Sequence, residues 1–219
     1  MSTNDSKINQ LFNNLDTWRH LPNYQLERRA DIFFSLYLAE VLKTQKTLGL
    51  DGELLIIPEF PCHHKTVRGK GTNHSFKIDY LVACMDGKSA CLVELKTDNS
   101  SIDADQITNM EDAKKAGLVK LTNGVDELCE ASSVKGKVKY KQLINQTNGM
   151  KDWKIEPTLS NVFIIPKAPN ENKLKELGGA TIITFDEYAT VVEKHSDFIS
   201  LRFAKSLREW AKDDAGSPK

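Results

Sequence analysis

The chain has 219 residues, 40% of them hydrophobic and 27% charged, and its 30 basic residues balance its 30 acidic residues. This composition fits one soluble domain with its own core, and the neutral sum argues mildly against a nucleic-acid binder that is basic overall. No apolar run approaches the ~20 residues that span a bilayer, and the polar residues 1–10 lack a signal-peptide core. We therefore expect a cytoplasmic protein with no membrane partner.

Hydrophobic spacing and turn residues predict most of the elements. In chain order we expect a helix over 24–47, a strand over 54–60, a loop over 61–73, strands over 75–84 and 89–97, a helix over 104–116 capped by Asp103, a helix over 125–148 weakened at Gly136, strands over 162–166 and 181–185, and a helical segment over 186–212 with a turn near 195–196. Residues 1–8 and those from about 213 are expected to be disordered. This order predicts a single α/β or α+β domain over 1–219, with a central sheet in a core of about 24–185.

The hairpin over 75–97 is the sharpest feature of the sequence. Asp86-Gly87 between two alternating runs is typical of a two-residue turn, and in that register Asp79 faces Glu94. Side chains alternate between the two faces of a strand. One face then holds Lys77, Asp79, Leu81, Leu92, Glu94 and Lys96. The other face is core-like and holds Phe76, Ile78, Tyr80, Val82, Cys91, Val93 and Leu95.

The opposed carboxylates of Asp79 and Glu94 raise an electrostatic problem. Their Cβ atoms would lie ~4.5–5.5 Å apart, and like charges at that spacing repel unless something neutralises them. A divalent cation is one solution, since hard oxygen ligands suit Mg²⁺ or Mn²⁺. A lysine is the other, because Lys77 and Lys96 share the face. The second solution would make the pair an ion-paired patch on a sheet.

The segments 76–80 (Phe-Lys-Ile-Asp-Tyr) and 93–96 (Val-Glu-Leu-Lys), joined by a short hairpin, resemble the signature of the PD-(D/E)xK nuclease superfamily. The resemblance extends from the helix at 24–47 to the helix after Asp103. It implies a restriction-endonuclease-like fold, which is α/β with a mixed central sheet flanked by helices. Ile78 stands where that family often has proline. Met110 stands where a glutamine-xxx-tyrosine motif beginning at Gln106 would have tyrosine.

The resemblance also implies roles for the site residues. Asp79 and Glu94, with the backbone carbonyl of Leu95, would bind one or two Mg²⁺ or Mn²⁺ ions. Lys96 would orient the attacking water and stabilise developing charge.

The family often adds an acid from its first helix. Glu40 is our candidate for this catalytic acid, because it shares a helical face with Phe33, Leu36 and Tyr37. Glu27 is a weaker candidate, and Glu59, at the end of a strand, is either an auxiliary acid or a solvated strand terminus.

Two stretches of the chain are locally basic and could follow a phosphate backbone. Residues 61–78 and 131–151 contain no acidic residue, and the second stretch carries Lys135, Lys137, Lys139, Lys141 and Lys151. We assign nucleic-acid contacts to Lys65, Arg68, Lys70, Lys77 and Gln106. The histidines of the first stretch leave a zinc site open as an alternative, formed by Cys62, His63, His64 and His74.

We therefore expect a Mg²⁺-dependent nuclease that acts on DNA, with a homodimer as one arrangement suited to duplex cleavage. An enzyme that needs a partner subunit for targeting stays open. The alternative from another class is a non-enzymatic module that binds nucleic acid or protein and retains the nuclease fold.

Overall fold

The computed structural model describes residues 3–69 and 74–212. Its helices are α1 (Thr3–Trp18), α2 (Leu26–Thr44), α3 (His64–Arg68), α4 (Ala104–Ala116), α5 (Leu118–Ala131), α6 (Val134–Lys151), α7 (Glu171–Glu176), α8 (Phe185–Val192) and α9 (Phe198–Lys212), with short 3-10 turns at Lys46–Leu48 and Asn99–Ser101. Its strands are β1 (Leu54–His63), β2 (Ser75–Cys84), β3 (Ser89–Leu95), β4 (Thr158–Ile165) and β5 (Thr181–Thr184). Within the described ranges, no helix is both long and apolar enough to cross a membrane.

The five described strands form one mixed sheet in the order β1-β2-β3-β4-β5. The first three strands are antiparallel neighbours, whereas β4 runs parallel to β3 and β5 runs parallel to β4. The step from β3 to β4 contains α4, α5 and α6, because parallel neighbours need a crossover connection. The expected α/β class, with a mixed central sheet flanked by helices, is therefore confirmed.

Two hydrophobic clusters cover the two faces of the sheet. The first cluster contains Phe12 of α1, Phe34 of α2 and Phe203 of α9. The second contains Met110 of α4 and Val125 of α5. Helices α2 and α4 therefore lie on opposite sides of the sheet, and the candidate site lies between them.

The amino-terminal residues differ from the expectation of disorder over 1–8, because α1 begins at Thr3. Phe12 and Leu15 are buried in the first cluster, and Ile8 packs against it. This helix forms because its apolar face is buried by distant parts of the chain. Residues 1–2 and those from 213 on, for which disorder was also expected, lie outside the described residues.

Two other stretches depart from the sequence prediction. In the expected loop over 61–73, β1 continues to His63 and α3 follows it, because Cys62 pairs with Phe76 of β2. The expected single helix over 125–148 is two helices, α5 and α6. Residues 132–133 separate them, and the Ser133 side chain caps α6 by accepting a hydrogen bond from the Gly136 N–H.

The alternation of side chains along β2 is interrupted beside Asp79. Ile78 belongs to the second cluster and Phe76 packs against it, whereas Tyr80 belongs to the first cluster and Leu81 again to the second. Opposite this step on β1, Glu59 has a φ of 52°, in the left-handed region that side chains seldom adopt. The expectation that Phe76 and Ile78 share the face of Tyr80 is therefore wrong, because the alternation of side chains between the two faces is interrupted between Ile78 and Tyr80.

Candidate active site

The register of the β2–β3 hairpin agrees with the one expected from its turn. Tyr80 pairs with Val93, and the pairs closer to the turn continue the same register. One further step in this register brings Asp79 opposite Glu94. The hairpin register therefore brings Asp79 and Glu94 to the same end of β3, where both side chains line one cavity.

Asp79 is held in place by β3. Its Oδ2 accepts a hydrogen bond from the Leu95 N–H at 2.7 Å. The side chain thus supplies an acceptor just beyond the last backbone pair of the ladder. This bond fixes the Asp79 carboxylate against the strand that carries Glu94.

Lys96 lies in contact with two acidic side chains. Glu94 and Lys96 are only 4% and 3% exposed. The Lys96 Nζ donates a hydrogen bond to the Glu94 Oε1 at 2.7 Å and lies 3.7 Å from the Glu27 Oε2 of α2. The Lys96 N–H donates to the Ile164 carbonyl of β4 at 2.9 Å, so the backbone beneath the ammonium group is anchored in the sheet.

Burial changes the acidity of the three carboxyl groups. It is the main reason that the pKa of Glu94 rises from its ordinary 4.5 to about 7, with the negative charge of Asp79 adding to the rise and Lys96 opposing it. Burial also raises the pKa of Asp79 and of Glu27, although the Leu95 N–H and Lys96 oppose the rise for Asp79. The site therefore holds acidic groups that are costly to ionise without a further positive charge.

The ammonium group of Lys96 responds in the opposite sense. Burial lowers its pKa, but the carboxylates of Glu94, Glu27 and Asp79 together outweigh burial, so the net pKa is raised above its ordinary value. Lys96 therefore carries its proton at neutral pH. It can act as a fixed cation but not as a proton acceptor.

A cavity of about 220 Å³ is lined by Asp79 and Glu94, and helices α2 and α4 supply two of its walls. Arg28 and Asp31 line it from α2, and Gln106 lines it from α4. The Tyr80 hydroxyl donates to the Asp31 carbonyl at 3.0 Å, which joins α2 to β2 beside the site. Arg28 and Asp31 were not among the site residues predicted from the sequence. The signal that could have found Asp31 was its spacing from Glu27, since residues four apart share a helix face.

Glu40, the residue predicted to be the catalytic acid of the first helix, is not brought together with Asp79, Glu94 and Lys96, and it does not line their cavity. Its Oε2 lies 2.9 Å from the His195 Nε2, and its side chain is 52% exposed. It lies thirteen positions after Glu27 on α2, a distance of about 20 Å along the helix axis. Leu36, used to assign Glu40 to an inward face, is 60% exposed. Glu27, the weaker candidate, is the acid that α2 brings to Lys96.

Two of the basic residues expected to contact nucleic acid form ion pairs within the fold. The Arg68 Nε lies 2.9 Å from the Asp112 Oδ2, and the Lys77 Nζ lies 2.5 Å from the Glu59 Oε2. Both Lys77 and Glu59 line the cavity. Lys65 is exposed on α3, whereas Lys70 lies outside the described residues.

Gln106 does reach the candidate site. Its backbone N–H donates to the Asp103 side chain at 2.7 Å, so it sits in the first turn of α4. Its Oε1 is buried and has no hydrogen-bond partner in the structure. A buried orphan acceptor of this kind is costly, and a water or a ligand group in the cavity would satisfy it.

The histidine-rich stretch forms hydrogen bonds and core contacts in the described part of the chain. Cys62 is fully buried in the second cluster. The Nδ1 of the buried His63 lies 2.8 Å from the Thr66 Oγ1 and 2.9 Å from the Glu127 Oε2. The thiol and this imidazole therefore face different surroundings, and the zinc alternative has no support from their positions.

No group of three or more His, Cys, Asp or Glu side chains within 3–69 and 74–212 is arranged to hold a metal ion. The donors at the candidate site are instead two carboxylates, those of Asp79 and Glu94, with Leu95 also lining the cavity. Mg²⁺ is compatible with so small a set, because it keeps several of its water molecules and is often bound by one or two carboxylates plus substrate phosphate. The chemistry of these donors therefore fits the expected ion.

No family model matches the chain, and comparison with curated proteins and with solved structures finds no significant similarity. A function for this chain must therefore be inferred from the chemistry of the site itself.

Proposed function

We propose that the chain is a divalent-metal-dependent phosphodiester hydrolase that cleaves DNA, with Asp79, Glu94 and Lys96 as its catalytic groups. The observation that carries the proposal is the convergence of these three side chains at one cavity. Asp79 and Glu94 line the cavity, and the buried Lys96 contacts it through Glu94. The Lys96 Nζ lies 2.7 Å from the Glu94 Oε1, and β3 fixes the Asp79 carboxylate through the Leu95 N–H.

The charge balance of the site favours a ligand over a purely structural patch. Glu27, Asp79 and Glu94 with the single ammonium of Lys96 leave a formal charge of −2 when all are ionised. Burying such a group costs more than the pairing returns, and well-packed apolar residues would often be as stable or more so. A bound divalent cation would balance this formal charge of −2.

Asp79, Glu94 and the main-chain carbonyl of Leu95 would hold the ion. When bound, it supplies acidification of a coordinated water and screening of the phosphoryl oxygens. Lys96 contributes a positive charge fixed by hydrogen bonding to Glu94, close to where negative charge develops on the phosphate. Glu27 holds the ammonium from the other side and acts as a positioning residue.

The order of elements also supports the proposal. A helix, three antiparallel strands, helices and a parallel fourth strand follow one another in the order that a restriction-endonuclease-like fold would have. The acids lie on the second and third strands, as the resemblance implies. Arg28 and Gln106 at the rim could contact a phosphate or a base of the bound strand.

The alternative is a non-enzymatic binding module with the same fold. One observation favours it: Lys96 already pairs with Glu94 and lies near Glu27, so part of the acidic charge is neutralised within the chain. Such a module would bind nucleic acid or protein without cutting it.

Cleavage of labelled single-stranded and duplex DNA and of RNA, in Mg²⁺ and in EDTA, separates the two functions. The wild type should cleave DNA only with Mg²⁺, and Lys96→Gln should lower the rate about 100-fold, as loss of a fixed catalytic charge does elsewhere. Lys88→Gln, an equal charge change at the exposed hairpin turn, should cleave at the wild-type rate. DNA binding without cleavage would replace the enzyme with the module, and equal rates in the two variants would exclude Lys96 from the chemistry.

A further inference from the structure

The amino-terminal half of α6 carries a dense and exposed set of lysines, residues 134–141, which we name the lysine arm. Lys135, Lys137, Lys139 and Lys141 are all exposed. Val134 and Val138 between them are 84% and 60% exposed. An aliphatic pair so exposed shows that residues 3–69 and 74–212 leave this face of the helix uncovered.

The four lysines of the arm are unpaired in the described part of the chain. Arg68 and Lys77 of the first basic stretch form ion pairs with Asp112 and Glu59, but none of the arm's lysines forms one. The fold thus pairs Arg68 and Lys77 of the first basic stretch and, in the second, pairs Lys151 with Asp126 but leaves the four lysines of the arm without an ion pair among the described residues.

The helix that carries the arm has no acidic side chain of its own to offset the positive charge. There is no acidic residue between 131 and 151, and the first turn of α6 holds none. The amino-terminal end of a helix carries a positive partial charge, so lysines there repel both one another and the helix dipole. A bound polyanion would relieve this repulsion.

Helix geometry places these side chains in a definite pattern. At about 100° per residue, Lys135 and Lys139 lie on one flank, and Lys137 and Lys141 lie on a flank roughly 200° away. By the same count Val134 and Val138 form a ridge between the flanks. The opposite side is anchored, since Tyr140 and Leu143 pack against the second cluster.

The lysine arm lies towards the end of the sheet that carries the candidate active site. The Cys129 Sγ of α5 lies 3.9 Å from the Lys137 carbonyl, and Glu127 of α5 contacts His63 at the end of β1. His63 in turn pairs with Ser75 at the start of β2. Ser75 lies four positions before Asp79 on β2, about 13 Å at the usual rise per residue.

We propose that the lysine arm inserts into the major groove of duplex DNA, with one lysine pair on the phosphates of each strand. The inference rests on the proposed function for the identity of its ligand. The major groove is about 12 Å wide and admits one α-helix, and a helix bearing cations on both flanks meets the phosphates on both sides of the groove. Two valines are a small apolar face for a membrane-surface helix, which typically carries Trp, Phe or Leu there. The geometry therefore favours DNA over an anionic lipid surface.

The test is binding of a fluorescent 24-base-pair duplex, followed by anisotropy in EDTA so that no cleavage occurs. Replacing the four arm lysines by glutamine should weaken duplex binding at least tenfold. It should also reduce the slope of log affinity against log salt by about 0.9 for each phosphate that the variant no longer neutralises. A control with Lys46, Lys88, Lys194 and Lys205 replaced by glutamine has the same net charge, and it should bind within twofold of the wild type.

The two flanks supply a second comparison. Lys135→Gln with Lys139→Gln, and Lys137→Gln with Lys141→Gln, should each weaken duplex binding by similar factors. An effect confined to one pair would overturn groove insertion. Equal weakening of duplex binding in both quadruple variants would show that the arm contributes only non-specific positive charge.

Two outcomes separate this inference from the proposed function. Duplex binding that needs the arm, in a protein that cleaves nothing, would support the arm and reject the enzyme. Cleavage by a wild type whose quadruple arm variant binds duplex equally well would keep the enzyme and reject the arm. Loss of sedimentation with phosphatidylserine vesicles, with duplex binding unchanged, would also reject it. Circular dichroism of each variant should match the wild type, since every changed side chain is exposed.

Discussion

Glu94 buries a carboxyl group beside a second carboxyl group and one ammonium group. The Lys96 Nζ can donate to the Glu94 Oε1 whether or not that carboxyl is ionised, so the hydrogen bond itself does not set the charge. Burial and the nearby Asp79 raise the Glu94 pKa to about 7. At neutral pH the free site therefore lies close to a change of protonation.

This pKa predicts how stability depends on pH in the presence of a chelator. Between pH 4.5 and 7 the folded state binds a proton at Glu94 that the unfolded chain releases, so the free energy of unfolding falls as pH rises. The full loss attributable to this group is about 3 kcal/mol, and it is complete above pH 7. Asp79 and Glu27 shift in the same direction and add to the loss.

Urea unfolding of the wild type and of Glu94→Gln at pH 5 and pH 8 measures this effect. Glutamine keeps the acceptor for Lys96 but cannot ionise, so the variant should be the more stable protein at pH 8. The difference between the two proteins should shrink at pH 5. A variant less stable than the wild type at pH 8 would show that the ionised Glu94–Lys96 pair outweighs burial.

Glu27 and Glu40 lie on the same helix and offer a matched comparison. Glu27→Gln should lower the DNA cleavage rate at least tenfold, because it removes the second acid near the Lys96 ammonium. Glu40→Gln should leave the rate unchanged, because Glu40 contacts His195 and is half exposed. The pH profile should shift only for Glu27→Gln. Equal effects of the two changes would show that Glu27 acts only through the general electrostatics of α2 and not through Lys96.

Among the elements, α4 shows how a local signal positions a site residue. The Asp103 side chain accepts a hydrogen bond from the Gln106 N–H, as expected of the cap that begins this helix. Asp103→Ala should lower the free energy of unfolding by about 1 kcal/mol. Asp105→Ala removes an acid in the same turn that is not the cap, and it should lower the free energy of unfolding by only a few tenths of a kcal/mol. Calorimetric Tm values that fall equally for both would contradict the role of the cap.

The elements that the sequence predicted best are those with local causes. The hairpin register follows from Asp86-Gly87, and α4 follows from its cap, because both depend on residues within a few positions of one another. The interruption beside Asp79 could not be predicted, since it depends on the left-handed conformation of Glu59 on the neighbouring strand. Helix α1 was missed because its burial depends on α9, at the far end of the chain.

The site was partly predictable for the same reason. The turn defines the hairpin register, and that register brings Asp79, Glu94 and Lys96 to one end of the hairpin, so their grouping follows from local pattern. Glu27 reaches Lys96 only through the packing of α2 on the sheet, and spacing along α2 could not distinguish it from Glu40. Arg68 pairs with Asp112 of a distant segment, so this ion pair could not be recognised from the sequence.

At the scale of the whole molecule, α1 and α9 join the two ends of the described chain. The Asp16 carboxylate of α1 lies 2.6 Å from the Arg202 Nη2 and accepts a hydrogen bond from the Trp210 Nε1 at 2.8 Å. Arg202 is only 8% exposed. Removal of the acid would leave a buried guanidinium without its ion-pair partner.

Asp16→Ala should therefore lower the free energy of unfolding by about 3 kcal/mol. Asp51→Ala, which removes an ion pair with Lys46 at the surface, should change it by about 0.5 kcal/mol or less. Both variants should unfold in one transition, because α9 shares the first cluster with α2 and the sheet. An early separate transition in Asp16→Ala would show that the C-terminal helices form an independent unit.

Mn²⁺ binding at the carboxylate pair is the most direct measure of the proposed metal site. Calorimetric titration with Mn²⁺, with and without a DNA oligonucleotide, should show binding to the wild type and to Glu40→Gln. Binding should be lost in Glu94→Gln and in Asp79→Asn. No binding to the wild type even with DNA present, or equal binding to all four proteins, would contradict a metal site between Asp79 and Glu94.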